Sequence, residues 1–171
     1  MLYINSDGGA RGNPGPGAIG VLIRNEKEIL TKYSEFIGRQ VTNNIAEYTA
    51  LIKALELALK FNDKQITCYL DSELVVKQLL GEYKVKNSRL LPLFLKVQKL
   101  QENFDKIIYK HVSRWDKFQQ IADTLSKNLP RLTLPAAGPT ATPPPQLSRG
   151  CAPCRPPRCL PARSLVVFLM T

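Results

Sequence analysis

Four acidic side chains punctuate this sequence at places where an unpaired charge is costly. Asp7 ends the strand-like run MLYINSD, Asp71 ends the strand-like run QITCYLD, and Glu47 lies in the first turns of an apolar helix. Asp123 opens the last helical segment, IADTLSKN. If the fold gathers these groups, each raises the pKa of the others, and a divalent cation removes the conflict. The pattern predicts a metal site made of carboxylates.

Each carboxylate also has an ordinary explanation. Glu47 and Asp123 suit the positive end of a helix, Asp7 suits a turn before Gly-Gly, and Asp71 suits a local helix cap. Taken singly, these explanations are the commoner ones. Taken together they require four separate coincidences, so the metal site is the favoured interpretation.

Ligation by oxygen alone indicates which ion and which chemistry to expect. Carboxylates suit Mg²⁺, with Mn²⁺ as a substitute, whereas zinc prefers His and Cys. Two such ions bridging a scissile phosphate activate water and stabilise the leaving oxygen. On a basic protein, this site predicts phosphodiester hydrolysis.

Composition also points to a phosphodiester substrate. The 171 residues carry a formal net charge of +10, which favours a nucleic acid over a membrane. The chain opens on a polar-punctuated strand rather than a signal peptide, and its apolar runs fall short of the ~20 residues of a spanning helix. Only Cys68 of the four cysteines lies in the well-patterned part, which fits a reducing cytoplasm.

The composition changes near residue 130. Residues 1–130 hold all 14 acidic residues, whereas residues 131–171 hold nine of the 13 prolines and three cysteines. The second segment is predicted to be disordered, and its abrupt change of composition suggests a non-native extension. Its CAPCRPPRC run supplies only three of the four ligands of a zinc site. We therefore divide the chain into a domain at 1–130 and a tail at 131–171.

Hydrophobic periodicity in the domain predicts an α/β fold with a mixed sheet flanked by helices. Thr42 or Asn43 caps the long first helix, Ser72 caps the second helix and Gly81 ends it. Because ligands of such sheets gather at the carboxyl ends of the strands, Asp7 and Asp71 are expected side by side. The predicted strands cover 2–7, 18–24, 28–37, 65–71 and 105–112, and the predicted helices cover 43–61, 72–80, 89–103 and 119–128.

Four segments together resemble type 1 ribonuclease H. They are YINSDGGARGNPGPGAIGVLI, TNNIAEYTALIKAL, CYLDSELVVKQLLGEYKVKN and HVSRWDKFQQIADTLSKN, and they run in order through residues 2–129. The resemblance implies a ribonuclease H-like fold, with a five-stranded sheet of order 3-2-1-4-5 and strand 2 antiparallel to the others. It also implies endonucleolytic cleavage of the RNA strand of RNA–DNA hybrids with two metal ions, leaving 5′-phosphate and 3′-hydroxyl ends. We expect a monomer.

The resemblance also implies roles for individual residues. The catalytic and metal-binding set maps onto Asp7, Glu47, Asp71 and Asp123. His111 matches a histidine that assists proton transfer or product release, although a surface role is an equal alternative. The predicted nucleic-acid contacts are Asn13, Asn43 and Asn44 to the RNA strand, Thr42 and Asn87 to a DNA phosphate, and Lys84 and Lys86 in place of a missing basic handle.

The chain departs from the family between His111 and Asp123. That segment is about two residues longer than usual, and Phe118, Gln119 and Gln120 stand where an Asn is customary. The connection GEYKVKNSRLLPL joins two helices directly, without the lysine- and tryptophan-rich handle of many bacterial members. For Lys84 and Lys86, simple solubility is the alternative explanation.

Two alternatives remain at this stage. Besides a hybrid endonuclease, the first is a nuclease or strand-transferase domain of a reverse transcriptase or integrase on the same fold, and the second is a non-catalytic hybrid-binding module. Gly15, Gly17 and Gly20 also satisfy the dinucleotide-binding pattern G-x-G-x-x-G, but a strand rather than a helix follows them. We expect these glycines to shape a tight hairpin.

Overall fold

Five strands and four helices make up the part of the chain described by the computed structural model, residues 1–128. The predictions of disorder and of an incomplete zinc site in 131–171 lie outside the described residues. A single 3₁₀ turn, Leu59–Phe61, follows the first helix. The elements are β1 (Leu2–Ala10), β2 (Gly15–Arg24), β3 (Ile29–Val41), α1 (Asn43–Ala58), β4 (Gln65–Leu70), α2 (Glu73–Leu79), α3 (Leu91–Gln101), β5 (Lys106–His111) and α4 (Lys117–Lys127).

The strands form one mixed sheet in the order β3-β2-β1-β4-β5. β2 is antiparallel to β1 and β3, while β1, β4 and β5 are parallel to one another. The predicted fold class, strand order and direction are therefore confirmed. The helical connections after β3 and β4 explain the parallel pairing, because a parallel strand requires a crossover.

The helices α1 and α4 cover opposite faces of the sheet. Successive side chains of a strand point to opposite faces. On β1, Asn5 and Asp7 hydrogen-bond to residues of α4, whereas Gly8 lies against the backbone of α1. The main apolar core lies on the α1 side and includes Ile4, Tyr48, Leu51, Ile66 and Leu70, all fully buried.

Several elements extend beyond the predicted bounds. β1 continues to Ala10, because the antiparallel ladder with β2 runs on to Ala10 opposite Gly17, after the parallel ladder with β4 stops at Ser6 opposite Leu70. The prediction that Asp7 ends its strand was therefore wrong. Asp7 lies just after the last residue of β1 that pairs with β4. β3 continues past Gly38 to Val41 across an irregular register, whereas the prediction stopped at 37.

The helix ends follow their caps. Thr42 caps α1 by accepting a hydrogen bond from the Ile45 amide, and Gly81, with φ +80°, follows the end of α2. Asp116 caps α4 by accepting from the amides of Phe118 and Gln119, so that helix begins at Lys117 rather than at 119. Asp123 consequently lies in the middle of α4, and the prediction that it opens the helix was wrong. Within residues 1–128, no helix is long and apolar enough to cross a bilayer.

Candidate active site

Two glycines allow both helices to approach the central strands closely. A Cβ at Gly8 would lie 2.2 Å from the carbonyl carbon of Ala46, so its absence lets α1 contact β1. A Cβ at Gly20 would lie 2.1 Å from the Ala122 carbonyl oxygen, so its absence lets α4 contact β2. Gly20 is the register partner of Asp7. These two contacts bring the carboxylate-bearing segments of α1 and α4 to Asp7.

Asp7 is the most enclosed of the four predicted carboxylates. Only 6% of the surface of Asp7 is exposed, and its Oδ2 accepts a hydrogen bond from Ser126 Oγ of α4. Burial raises the pKa of Asp7 to about 6, the Ser126 hydrogen bond opposes the rise, and the charges of Asp71 and Asp123 add to it. Because their charges affect the pKa of Asp7, both Asp71 and Asp123 lie close enough to interact with its carboxylate.

Glu47 lies in the second turn of α1 with its carboxylate turned towards the other acids. Burial raises its pKa to about 9; the charges of Asp71 and Asp7 add to the rise, and Arg114 opposes it. Oε2 is buried without a hydrogen-bond partner among the residues that the structure describes. A charge placed simply to suit a helix N-terminus would lie in the first turn and face water. The ordinary explanation for Glu47 therefore fails.

Asp71 follows the last residue of β4, next to Asp7 as predicted. Burial raises its pKa, and the Arg114 guanidinium, with Nη2 3.8 Å from Oδ2, opposes the rise. Its second oxygen, Oδ1, is buried without a partner in the described part of the chain. His111 ends β5, and its Nε2 lies 3.2 Å from the Asp71 carbonyl oxygen. The sheet thus brings His111 to the edge of the acidic group.

Asp123 is the most accessible member of the group. Its side chain is 31% exposed and forms an ion pair with Lys127 one turn further along α4, at 2.7 Å from Oδ2. The effect of its charge on both Asp7 and Asp71 links it to the group. The structure therefore brings all four predicted carboxylates into one neighbourhood, on four different elements.

The donor set fits a hard divalent cation. Among residues 1–128, two buried carboxylate oxygens lack hydrogen-bond partners, and burial raises the pKa values of Asp7 and Glu47. Burial therefore disfavours their charged forms, and a cation would relieve this cost. No three His, Cys, Asp or Glu side chains of residues 1–128 are gathered tightly enough to ligate one ion as they stand. Ser126, Arg114 and Lys127 each contact one of the carboxylates, those of Asp7, Asp71 and Asp123 respectively.

Gln119 is a residue of the site that the sequence did not single out for a role. It is fully buried; its Oε1 accepts a hydrogen bond from Asn5 Nδ2 at 3.2 Å, and its Nε2 donates to the Ser6 carbonyl at 3.0 Å. The amide therefore ties the start of α4 to β1 immediately before Asp7. The sequence feature that could have indicated this role is a glutamine where the family usually has an asparagine, in the lengthened segment between His111 and Asp123.

The residues predicted to contact RNA meet at the N-terminus of α1. Asn13 Oδ1 accepts from the Asn43 amide at 3.3 Å, and Asn43 Oδ1 accepts from the Ala10 amide at 2.9 Å. Thr42 and Asn44 lie on either side of Asn43 in the sequence and are half-buried. The turn between β1 and β2 is therefore fastened to the start of α1, within two turns of Glu47.

The other predicted contacts lie in the connection between α2 and α3. Asn87 uses its Oδ1 to accept from the Arg89 amide at 2.8 Å, which shapes the turn before α3. Lys84 and Lys86 are exposed in the same connection.

A separate expectation concerned the glycines: Gly15 lies tightly against the Arg11 carbonyl in the β1–β2 turn, as predicted, but Gly20 serves helix packing instead.

A sheet of this order, with acidic residues on β1, on α1, directly after β4 and on α4, defines the ribonuclease H-like class. Residues 5–129 match the protein family described as reverse transcriptase-like. Ribonuclease H1 of the archaeon Halobacterium salinarum superposes with a TM-score of 0.69 at 37% identity, covering 74% of this chain and 94% of that one. LC11-RNase H1 from compost, solved in complex with an RNA/DNA hybrid, superposes with a TM-score of 0.69 at 40% identity, with the same coverage. The chain belongs to the type 1 ribonuclease H family.

Curated relatives include longer proteins. The chain is 40% identical over 115 residues to a bifunctional protein of Mycobacterium tuberculosis, a match covering 66% of this chain and 31% of that protein. The match to ribonuclease HI of Halobacterium salinarum covers 54% of that sequence. The chain thus spans about a third to a half of these relatives.

Proposed function

We propose that this chain is an endonuclease that hydrolyses the RNA strand of RNA–DNA hybrids, leaving 5′-phosphate and 3′-hydroxyl ends. The observation that carries the proposal is the group of Asp7, Glu47 and Asp71, three carboxylates with raised pKa values and two unpartnered oxygens. The family match over residues 5–129 and the similarity to the ribonuclease H1 structure of Halobacterium salinarum support it. The hybrid bound by LC11-RNase H1 indicates the substrate class.

Asp7, Glu47, Asp71 and Asp123 are the residues that would hold Mg²⁺, with Mn²⁺ as a substitute. When bound, two such ions supply a water nucleophile and stabilise the leaving oxygen at the scissile phosphate. The chain itself supplies the charges and their separation. The Ser126 hydroxyl orients Asp7, Lys127 forms an ion pair with Asp123, and Arg114 opposes the rise that burial causes in the pKa of Asp71.

His111 is proposed to exchange a proton at the edge of the site. Its imidazole is exposed and lies against the Asp71 main chain, so it can take up or deliver a proton without displacing a carboxylate. Loss of the imidazole should slow turnover rather than abolish it. Surface placement alone, the alternative, predicts no change.

Recognition of the hybrid is proposed to use two surfaces beside the carboxylates. Asn13, Asn43 and Asn44 would contact 2′-hydroxyls and the minor groove, which distinguish RNA from DNA. Thr42 and Asn87 would hold a DNA phosphate, and Lys84 and Lys86 would add attraction. The net charge of +5 on residues 1–130 favours this polyanion. A monomeric state and a cytoplasmic location remain predictions.

The alternatives have less support. A non-catalytic binding module would not need all four carboxylates, and all four are present. A reverse transcriptase or integrase domain is less favoured, because the ribonuclease H1 structures match at 37–42% identity.

A cleavage assay tests the proposal directly. The full chain is incubated with RNA–DNA hybrid, duplex RNA and duplex DNA, each with Mg²⁺ or with EDTA. We expect cleavage of the RNA strand of the hybrid only, and only with Mg²⁺. Cleavage of duplex DNA, or cleavage in EDTA, would contradict the assignment.

Variants test the site. Asp7→Asn and Asp71→Asn should each abolish cleavage while hybrid binding stays near the wild-type level, because only the ligand charge is removed. Asp105→Asn, at an exposed aspartate beside β5, is the matched control and should cleave normally. His111→Ala should cleave more slowly. Substantial turnover by Asp7→Asn would refute the site.

A further inference from the structure

Trp115 is the most exposed large apolar side chain of residues 1–128, with 79% of its surface accessible. It lies between β5 and α4, in a loop that consists of Val112–Asp116. Tryptophan is usually mostly buried, because its large apolar surface is expensive to hydrate. A tryptophan that a hydrogen-bonded loop keeps exposed to solvent therefore indicates a contact surface for a ligand.

The loop holds Trp115 firmly on both sides. Before it, the Val112 amide donates to the Leu70 carbonyl at 2.9 Å, and Ser113 accepts from the Trp115 amide through Oγ at 3.3 Å. After it, Asp116 donates its amide to the Ser113 carbonyl at 2.9 Å and caps α4 with its side chain. The indole is therefore presented by a fixed backbone, so binding would need little ordering of the loop.

The start of α4 adds a further anchor. Phe118 stacks on the Arg24 guanidinium, whose carbon lies 4.0 Å from the ring centroid, and Arg24 also lies 4.6 Å from the Tyr3 ring. These aromatic contacts fix the chain three residues after Trp115. Packing against Arg24 therefore explains the position of Phe118. It does not explain the position of Trp115, which faces solvent.

Charge around Trp115 selects a polyanion. Lys110, Arg114 and Lys117 lie within five positions of it and are exposed. Two acids lie nearby: the carboxylate of Asp116 accepts from two helix amides, and Asp71 lies 3.8 Å from Arg114. An aromatic face among cations is the surface on which unpaired bases stack, with the cations holding the backbone. Acidic peptides also match the charge, but they offer the indole no flat ring.

The position of the loop ties Trp115 to the carboxylates. Arg114, its neighbour, places Nη2 3.8 Å from Asp71 Oδ2. A nucleotide stacked on Trp115 would therefore belong to the same strand, or the same junction, as the phosphate at the acidic group. Base faces inside a duplex are covered by their neighbours, so only an unpaired base or the last pair of a duplex offers an open face, and the unpaired base offers it without requiring a duplex end at the loop.

We propose that Trp115 is a stacking platform for an unpaired base, and that the chain thereby prefers hybrids that adjoin a single-stranded segment. This inference deepens the proposed ribonuclease function and rests on it for the identity of the substrate. Trp115 is a specificity-determining residue, and cleavage of a blunt hybrid does not require it.

The only tryptophan of the sequence is Trp115, so its fluorescence reports this site alone. The full chain in EDTA is titrated with a blunt hybrid and with the same hybrid carrying a single-stranded DNA extension. Moderate salt limits non-specific binding by this basic chain. We expect the extended hybrid to quench the fluorescence more strongly and to bind about tenfold more tightly. Equal quenching and equal affinity would overturn the proposal.

Variants separate stacking from folding. Measured by anisotropy of labelled nucleic acid, Trp115→Ala should lose the preference for the extension, whereas Trp115→Phe should keep most of it. Leu95→Ala, which removes another exposed apolar side chain on α3, should behave as wild type. A preference that survives in Trp115→Ala refutes the platform. Quenching by polyglutamate but not by the extended hybrid refutes it in favour of a protein partner.

Cleavage distinguishes this proposal from the proposed function. If the wild type cleaves blunt hybrid with Mg²⁺ but shows no preference for the extension, only the platform is wrong. If the extension is preferred but no hybrid is cleaved, the nuclease assignment is wrong and the stacking site stands.

Discussion

Ser126 donates its hydroxyl to Oδ2 of Asp7, although 119 positions separate them in sequence. The same hydroxyl lies 2.8 Å from the Asp123 carbonyl oxygen, and its single proton can serve only one acceptor at a time. The bond to Asp7 opposes the effect of burial on the pKa of that carboxyl. Ser126 therefore links two of the acidic residues and favours the charged form of one.

Replacing Ser126 tests this link. In Ser126→Ala the opposing hydrogen bond is lost, so the pKa of Asp7 in the metal-free chain should rise above its value of about 6. NMR titration of the side-chain carboxyl carbon measures it. Ser113→Ala, at an exposed loop serine, is the control and should leave that pKa alone. An unchanged value in Ser126→Ala would show that the hydroxyl has no influence.

The stability of the metal-free chain should fall as pH rises. Folding raises the pKa of Glu47 from 4.5 to about 9 and that of Asp7 from 3.8 to about 6. The folded state therefore binds more protons than the unfolded state in this window, and its stability is greatest below about pH 4 for these groups. Other groups titrate at low pH, so the decline should be clearest between pH 6 and 9.

Glu47→Gln checks the source of that decline. The variant removes a group that must take up a proton on folding at pH 8, so its Tm at pH 8 in EDTA should exceed that of the wild type by roughly 5 °C, with a flatter dependence on pH. Adding Mg²⁺ should raise the Tm of the wild type and have little effect on the variant. A wild-type Tm independent of pH from 6 to 9 would contradict the burial of an ionisable Glu47.

Gly20→Ala should displace α4. The new Cβ would meet the Ala122 carbonyl oxygen at 2.1 Å and the Ser126 amide nitrogen at 2.6 Å, both backbone atoms that cannot move independently. We expect a loss of about 1–3 kcal/mol in the free energy of unfolding, together with severe loss of cleavage. Gly9→Ala is the matched control, since its Cβ would meet nothing within 4 Å among residues 1–128.

Gln119→Leu should loosen the anchor of α4 on β1. The change leaves Asn5 and the Ser6 carbonyl without their buried hydrogen bonds, which costs about 2–4 kcal/mol by urea unfolding. Gln120→Leu alters the exposed neighbour and should be nearly neutral. Equal stability of the two variants would mean that water replaces the amide.

Sequence reasoning recovered the individual strands because periodicity and turn residues act locally, whereas the order of the strands in the sheet came from the resemblance to ribonuclease H. It also paired Asp7 with Asp71, since parallel strands end at one edge of a sheet. It misplaced Asp123, because the cap of α4 is Asp116 followed by the charged Lys117 rather than by an apolar start. The roles of Gly8, Gly20 and Gln119 were not predicted, because close helix–strand approach depends on residues far apart in the chain.

The last described helix also sets when the protein can first act. α4 supplies Asp123, Ser126 and Gln119, while the carboxylate they surround belongs to the seventh residue of the chain. A polypeptide still emerging from the ribosome carries Asp7, Glu47 and Asp71 long before it carries their final partner. Synthesis from the N-terminus therefore withholds the complete group of four carboxylates until translation has passed the codons of α4.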